Sequence, residues 1–190
     1  VDTGALYRSI GLYVMEHSIA PDDTESIINC LGEINIELKY ENGEQKVYLC
    51  GTEVGNRIRT PDASKYASSV SKIPAVRDFL LGLQKNIAAK GGVIMDGRDI
   101  GTVIMPDADL KIFMTASPQA RAQRRCDELN EKGMPQPYDE VLKDIIERDK
   151  ADRERQTAPC VPASDAVEFE NDKYTVESSA EYIISLIESI

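Results

Sequence analysis

The chain has 190 residues, of which 42% are hydrophobic and 29% are charged, so it can bury an ordinary core and is not disordered by composition. Its formal net charge of −11 argues against non-specific binding to nucleic acid, and no apolar run approaches the roughly 20 residues that span a bilayer. The four cysteines lie far apart, so their spacing indicates neither a zinc site nor a disulfide scaffold. We therefore expect a soluble, cytoplasmic protein.

The first predicted element is a helix from Gly4 to Val14, where apolar residues recur at helical spacing. Asp2 or Thr3 would cap this helix and leave free N–H groups at which an anion can bind. Arg8 lies about one turn inside the helix, on the same side. A capped helix with an exposed arginine is the alternative interpretation.

A β-hairpin is predicted next. Two alternating segments, 34–40 and 46–50, flank Asn42-Gly43, a dipeptide typical of two-residue hairpin turns. Because the rest of the chain reads as helical and parallel, we interpret residues 22–60 as an insertion, a small mobile subdomain with hydrophilic outer faces.

Two further helices are predicted, one beginning at Pro61 behind a Thr60 cap and one beginning at Pro74. Serines recur on one face of the first helix, and simple close packing would also explain them; they are Ser64, Ser68 and Ser71. The second helix carries Arg77 near its start. Its residues expected to face inward are Val76, Phe79, Leu80 and Leu83.

The stretch from Gly91 to Thr102 is predicted to be central to the fold. Val93–Met95 is a short apolar run bounded by glycines, which predicts a buried parallel strand. Arg98 and Asp99 follow it, where ligands gather in an open α/β sheet. A tight turn in which these two side chains pair with each other is the alternative.

The second half of the chain predicts strands at 110–114 and 165–169 and helices at 118–129, 138–150 and 176–187. Six of the eleven arginines lie between Arg121 and Arg155, and such clustering in an acidic chain favours a small polyanionic ligand. Arg121 and Arg125 share one helical face. Arg148, Asp152 and Arg155 share another, although a solvated helix end is the alternative there.

Taken together, these motifs resemble the bacterial cytidylate kinases over nearly the whole chain. They are Asp2-Thr3-Gly4-Ala5-Leu6-Tyr7-Arg8, Ile58-Arg59-Thr60, Ser68 with Pro74-x-Val76-Arg77, Asp96-Gly97-Arg98-Asp99-Ile100-Gly101-Thr102-Val103 and Arg148-Asp149-x-x-Asp152-Arg153-x-Arg155. The resemblance implies a P-loop nucleoside monophosphate kinase fold: α/β, with a parallel sheet flanked by helices. It also implies a single kinase domain with a nucleoside-monophosphate-binding insertion at 22–60 and a helical lid at 133–155.

The family transfers the γ-phosphate of ATP to CMP or dCMP with Mg²⁺, so ATP, Mg²⁺ and CMP are the expected ligands. We expect a monomer with no nucleic-acid or membrane partner. A non-catalytic CMP-binding relative that lost its ATP site and a kinase for another nucleoside monophosphate are the alternatives.

The resemblance also implies residue roles. The phosphate of CMP would be held by Thr3, Arg8, Arg98 and Arg155. The sugar hydroxyls would be held by Arg148 and Asp152, and the cytosine edge would be read by Ser68, Arg77 and Asp99. Asp2 and Arg59 belong to the same substrate-binding motifs. The catalytic arginines would be Arg98, Arg148 and Arg155. Arg121 and Arg125 would lie on the ATP side. No metal ligand is implied among the side chains of the chain.

One family motif is absent, because no G-x-x-x-x-G-K-[ST] sequence occurs in the 190 residues. The P-loop supplies the cradle for the β- and γ-phosphates. We therefore expect the 190 residues to be a fragment with an incomplete core, inactive by itself.

Overall fold

The computed structural model describes residues 1–190, which form two units, Val1–Gly97 and Arg98–Ile190. The first unit contains helices and a small antiparallel sheet: α1 (Gly4–Glu16), α2 (Thr24–Cys30), β1 (Ile36–Glu41), β2 (Glu44–Leu49), β3 (Thr52–Glu53), α3 (Pro61–Val70) and α4 (Pro74–Ala88). The second contains β4 (Ile112–Thr115), α5 (Pro118–Glu131), α6 (Tyr138–Glu154), β5 (Val167–Glu170) and α7 (Val176–Ile187). No helix combines the length and the apolar character that crossing a membrane would require.

Helix α1 is the centre of the first unit. Its apolar residues Leu6, Ile10 and Val14 recur at helical spacing and are fully buried, as the sequence predicts. α3 packs directly against α1. They approach closely at Gly11, because a Cβ atom there would lie 2.8 Å from the backbone nitrogen of Ala67. The absence of a side chain at Gly11 therefore sets the distance between the two helices.

The predicted hairpin is confirmed. β1 pairs antiparallel with β2, and Asn42 (φ 53°) and Gly43 (φ 82°) form the left-handed two-residue turn that such hairpins favour. A second turn of the same kind, at Cys50 (φ 48°) and Gly51 (φ 81°), adds β3, which the sequence did not predict. The inner face of the hairpin contributes to the same hydrophobic core as α1. Its role as an insertion remains a prediction.

The second unit contains the parallel pairing that the sequence predicts. β4 and β5 lie side by side in parallel, with Ile112 opposite Val167. Helices α5 and α6 pack against each other through a small separate core whose buried members are Ala122, Cys126, Leu129 and Val141. The mixed fold therefore has one parallel and one antiparallel sheet.

The predicted strand at Val93–Met95 is wrong. These residues have no strand assignment, and the Ile94 side chain is 75% exposed rather than buried. The stretch pairs with residues 1–3 in an isolated parallel bridge between Asp2 and Asp96, supported by a 3.0 Å bond from the Asp96 amide to the Val1 carbonyl. These few hydrogen bonds along one edge do not bury alternating side chains. The apolar run alone therefore does not predict a strand here.

The predicted inward orientation of Phe79 is also wrong, since its side chain is 37% exposed. The buried stripe of α4 passes through Val76, Leu80 and Gln84, at steps of four residues. Phe79 lies at the margin of this stripe because each residue of a helix turns by about 100°.

We predict that Gly11→Ala destabilises the protein by about 1–3 kcal/mol, because the new methyl group would overlap backbone atoms that cannot move independently. Gly82→Ala is the matched control, since Gly82 lies in α4 and an added Cβ would have no atom within 4 Å beyond its chain neighbours and its own helix backbone. We expect Gly82→Ala to stabilise by up to about 1 kcal/mol through helix propensity. Urea unfolding measures both, and equal effects would contradict the close-packing argument.

Candidate functional site

The N-terminus of α1 holds one group of the predicted site residues. The Asp2 carboxylate accepts a 3.1 Å hydrogen bond from the Ala5 amide and pairs with the Arg8 guanidinium. Thr3 is buried, and its hydroxyl donates to the Asp96 carbonyl at 2.7 Å. Asp2 is therefore the residue whose side chain caps the helix, while Thr3 ties the helix start to the stretch before Gly97.

Two residues that sequence reasoning missed support this helix end. A Cβ atom at Gly4 would lie 3.0 Å from both Arg8 Nη1 and Asp2 Oδ1, so glycine permits the guanidinium to lie across the first turn. Gln45 of the hairpin accepts a 3.2 Å hydrogen bond from the Asp2 amide through Oε1. A glycine inside a capping motif could have indicated the first feature, whereas no local signal indicates Gln45.

The corner between α3 and α4 holds the second group. Arg77 is buried, donates a 3.4 Å hydrogen bond to the Ser71 carbonyl, and lies 5.6 Å from the centroid of the Tyr7 ring. Ser68 is half-buried in the last turn of α3. Arg59 is exposed at the end of a short 3₁₀ turn that precedes α3.

Four of the predicted site residues lie close together in the second unit: Arg98, Asp99, Asp152 and Arg155. We call these residues the arginine–carboxylate cluster. The Arg98 guanidinium lies 3.4 Å from Asp152, and Arg155 donates a 3.3 Å hydrogen bond to Asp152. A carboxylate oxygen of Asp99 lies 4.0 Å from the Arg155 guanidinium. Sequence reasoning predicted all of these residues as site residues, and the fold brings them together across more than 50 positions.

Local structure explains how the cluster forms. Directly after Asp99, the chain enters a single π-helical turn, Ile100–Ile104, closed by a 2.7 Å bond from the Met105 amide to the Ile100 carbonyl. On the other side, α6 runs to Glu154, one turn further than predicted, so Arg155 is the first residue beyond the helix and has an extended backbone. Arg148 is exposed on α6, one turn before Asp152.

Burial differs strongly within the cluster. The side chains of Asp152 and Arg155 are 13% and 10% exposed, whereas that of Arg98 is 44% exposed. Two cations next to two carboxylates compensate one another's charge, which is the condition under which partly buried ionised groups are tolerated. The cluster is therefore preorganised on its inner side and reaches solvent through Arg98.

Cys160 lies beside the cluster. Its amide donates a 2.8 Å hydrogen bond to the Asp152 carbonyl. Burial raises the pKa of the Cys160 thiol, although the Arg98 charge opposes the change. The thiol is therefore protonated near neutral pH and has little nucleophilic character.

Arg121 and Arg125, the two arginines predicted to lie on the ATP side, have protein partners. Arg121 forms a bidentate pair with Asp149 at 2.9 and 2.5 Å and donates to the Ala116 carbonyl at 3.0 Å. Arg125 pairs with Glu128 within the same helix at 2.7 Å. Arg121 thus links α5 to α6, a structural role that the sequence did not indicate. A contact of either arginine with ATP remains a prediction.

No three His, Cys, Asp or Glu side chains come together in a group that could hold a metal ion. Mg²⁺ in nucleotide enzymes is commonly held by one or two carboxylates together with substrate phosphates and water. A Mg²⁺ ion bound in that way requires no cluster of three protein ligands.

The mixed fold and the cluster indicate an α/β protein suited to binding small phosphorylated ligands. The sequence comparisons give the family: the chain belongs to the cytidylate kinases, whose family model matches residues 1–189. This result confirms the resemblance carried by the motifs.

Curated relatives agree along almost the whole chain. The cytidylate kinase of Caldicellulosiruptor bescii is 42% identical over 186 residues, which cover 98% of this chain and 82% of that protein. The cytidylate kinase of Fervidobacterium nodosum is 44% identical over 187 residues, covering 98% and 83% respectively. That of Flavobacterium johnsoniae is 40% identical over 195 residues, covering 100% and 85%.

We predict that Arg121→Met lowers the free energy of unfolding by about 2–3 kcal/mol, because it leaves the partly buried Asp149 carboxylate without its bidentate partner. Arg125→Met is the matched control on the same helix. Its loss should be about 0.5 kcal/mol or less, as for other exposed pairs within one helix. Urea unfolding at pH 7 measures both, and equal losses would contradict the structural role of Arg121.

The Arg121 effect should also depend on pH. Burial by itself would raise the pKa of Asp149, but hydrogen bonds from Arg121 and its charge outweigh burial and hold that pKa below its usual value. A carboxyl whose pKa is lowered by folding stabilises the protein above its unfolded pKa of about 3.9 and loses that contribution as pH falls through the folded value. The stability difference between wild type and Arg121→Met should therefore be constant above about pH 5 and shrink below about pH 4. A constant difference down to pH 3 would be the contrary result.

Proposed function

We propose that the protein catalyses phosphoryl transfer from ATP to CMP or dCMP, giving CDP or dCDP. The observation that supports this most directly is the arginine–carboxylate cluster in a chain that matches the cytidylate kinase family from end to end. The curated relatives carry the name cytidylate kinase and favour neither a non-catalytic CMP-binding protein nor a kinase for another nucleotide.

The phosphate of CMP is the proposed ligand of Thr3, Arg8, Arg98 and Arg155. Guanidinium groups suit this role because their planar fork matches phosphate oxygens and their charge persists at all physiological pH values. The α1 N-terminus supports the same assignment, since backbone N–H groups there favour an anion. Asp2 holds Arg8 at this end of the helix.

The sugar and base of CMP are proposed ligands of the remaining residues. Arg148 and Asp152 would hold the sugar hydroxyls, and Arg59 would extend the substrate-binding surface. The cytosine edge would be read by Ser68, Arg77 and Asp99. Cytosine presents an N4 donor beside the N3 and O2 acceptors, whereas uracil reverses part of this pattern. A buried polar group left mispaired costs more free energy than a missing contact, so such a site can reject UMP.

For this reaction the protein has to align the donor and acceptor groups and compensate the charge on the phosphoryl oxygens. Phosphoryl transfer needs donor and acceptor oxygens in line and the charge on the equatorial oxygens stabilised, which the proposed catalytic arginines Arg98, Arg148 and Arg155 would supply. The segment 133–155 is proposed as a lid that excludes water. Its helix α6 is held to α5 by the Arg121–Asp149 pair, so the two helices would move as one body.

The expectation that the 190 residues are inactive alone rests only on the absent P-loop sequence, and neither the structure nor the relatives support it. We expect CDP to form from ATP and CMP, with dCMP as an alternative acceptor and with UMP and AMP much poorer. An ATP-coupled assay over these four nucleotides measures this selectivity. No transfer to CMP, together with no CMP binding, would overturn the proposal.

Nucleotide binding can be tested separately from turnover with a matched pair of variants in α6. Asp152→Asn should raise the Kd for CMP about 10- to 100-fold, because charge-assisted hydrogen bonds contribute about 1.5–3 kcal/mol each. Asp144→Asn, at an exposed position of the same helix, is the control and should leave the Kd unchanged. Isothermal titration calorimetry gives both values. Equal affinities would remove Asp152 from the site.

A further inference from the structure

The turn that follows α6 contains a backbone conformation that few residues adopt. Ala158 has φ 51°, in the left-handed region, and is followed directly by Pro159. Side chains with a Cβ atom are disfavoured in this region, and a following proline restricts the same residue further. The conformation of Ala158 is therefore disfavoured for two independent reasons: its own Cβ atom and the proline that follows it.

The Ala158 carbonyl points at an arginine of the cluster. Arg155 Nε donates to this carbonyl at 2.6 Å, and Arg155 Nη1 donates to Asp152 at 3.3 Å. Arg155 Nη2 lies 4.0 Å from Asp99. The backbone of the turn and two carboxylates therefore hold one guanidinium from different sides.

A second hydrogen bond ties the turn to the helix it follows. The Cys160 amide donates to the Asp152 carbonyl at 2.8 Å, so the chain returns to the last turn of α6 just after the proline. The Ala158 peptide is thereby anchored on both sides: by Arg155 before it and by Cys160 after it. Its carbonyl direction follows from this closure together with its left-handed φ.

We propose that Ala158 is a positioning residue for Arg155. Its left-handed backbone aims a carbonyl at Nε and sets the guanidinium plane before the nucleotide arrives. Arginine has many rotamers, and freezing them before binding improves affinity without a new contact. Ala158 itself would touch no substrate. The inference rests on the proposed function, because it assigns the phosphate of CMP to Arg155.

Two substitutions at this position separate backbone conformation from side-chain size. Valine is β-branched and is a strong outlier at positive φ, so Ala158→Val should turn the peptide and move the carbonyl away from Arg155. We expect the Kd for CMP to rise about 10-fold, measured by calorimetry on the full chain. Ala158→Gly, which permits the same backbone, should stay within about 2-fold of wild type.

A double-mutant cycle tests whether the effect passes through Arg155. In an Arg155→Ala background, Ala158→Val should change the Kd for CMP by less than about 2-fold, because the residue it positions is gone. An equal loss in both backgrounds would overturn the proposal. So would a lowered melting temperature with an unchanged Kd in the single variant, since that is the result of a purely structural role.

A measurement on the unmodified chain keeps the proposal testable if Ala158→Val does not fold. The Arg155 Nε–H proton should exchange with water at least about 10-fold more slowly than that of Arg153, which is exposed at the end of α6. Equal exchange rates would overturn the positioning role. Wild-type protein that binds no CMP but has a protected Arg155 Nε–H would instead overturn the proposed function while supporting the held guanidinium.

Discussion

The compensation of charge inside the second unit is the constraint on which the candidate site depends. Arg155 and Asp152 are mostly buried and pair with each other, and a buried charge without a partner costs much free energy. Asp99 and Arg98 extend the same pairing from the loop before the π-helical turn. A cluster assembled in this way holds cations at a fixed place, which is what the recognition of a phosphate requires.

Arginines of similar appearance in the sequence have different roles in the structure. The Arg121 guanidinium pairs with Asp149 and donates to a backbone carbonyl, so it holds α5 and α6 together. Arg125 makes an intrahelical pair that contributes little. Arg155 is also held by protein groups, but it lies in the cluster beside the exposed Arg98. The partners of each arginine, rather than its spacing, show which parts of the chain it connects.

Most elements of the fold could be predicted because their causes are local. The stripe of Leu6, Ile10 and Val14 predicts α1, and Asn42-Gly43 predicts the hairpin, since both depend on a few neighbouring residues. The strand expected at Val93–Met95 did not form, because a strand depends on partners elsewhere in the chain. The contact of Gln45 with Asp2 could not be predicted either, because it too depends on residues elsewhere in the chain.

The sequence by itself determined the family, the helices and the identity of most candidate site residues, because motif order and residue spacing are properties of the chain alone. Only the tertiary structure decided that Arg121 binds Asp149 and that Arg155 binds the Ala158 carbonyl. The first pairing joins side chains 28 positions apart. The second depends on a left-handed backbone that alanine does not favour. Neither is encoded in local propensity, because each exists only once packing has fixed the surrounding chain.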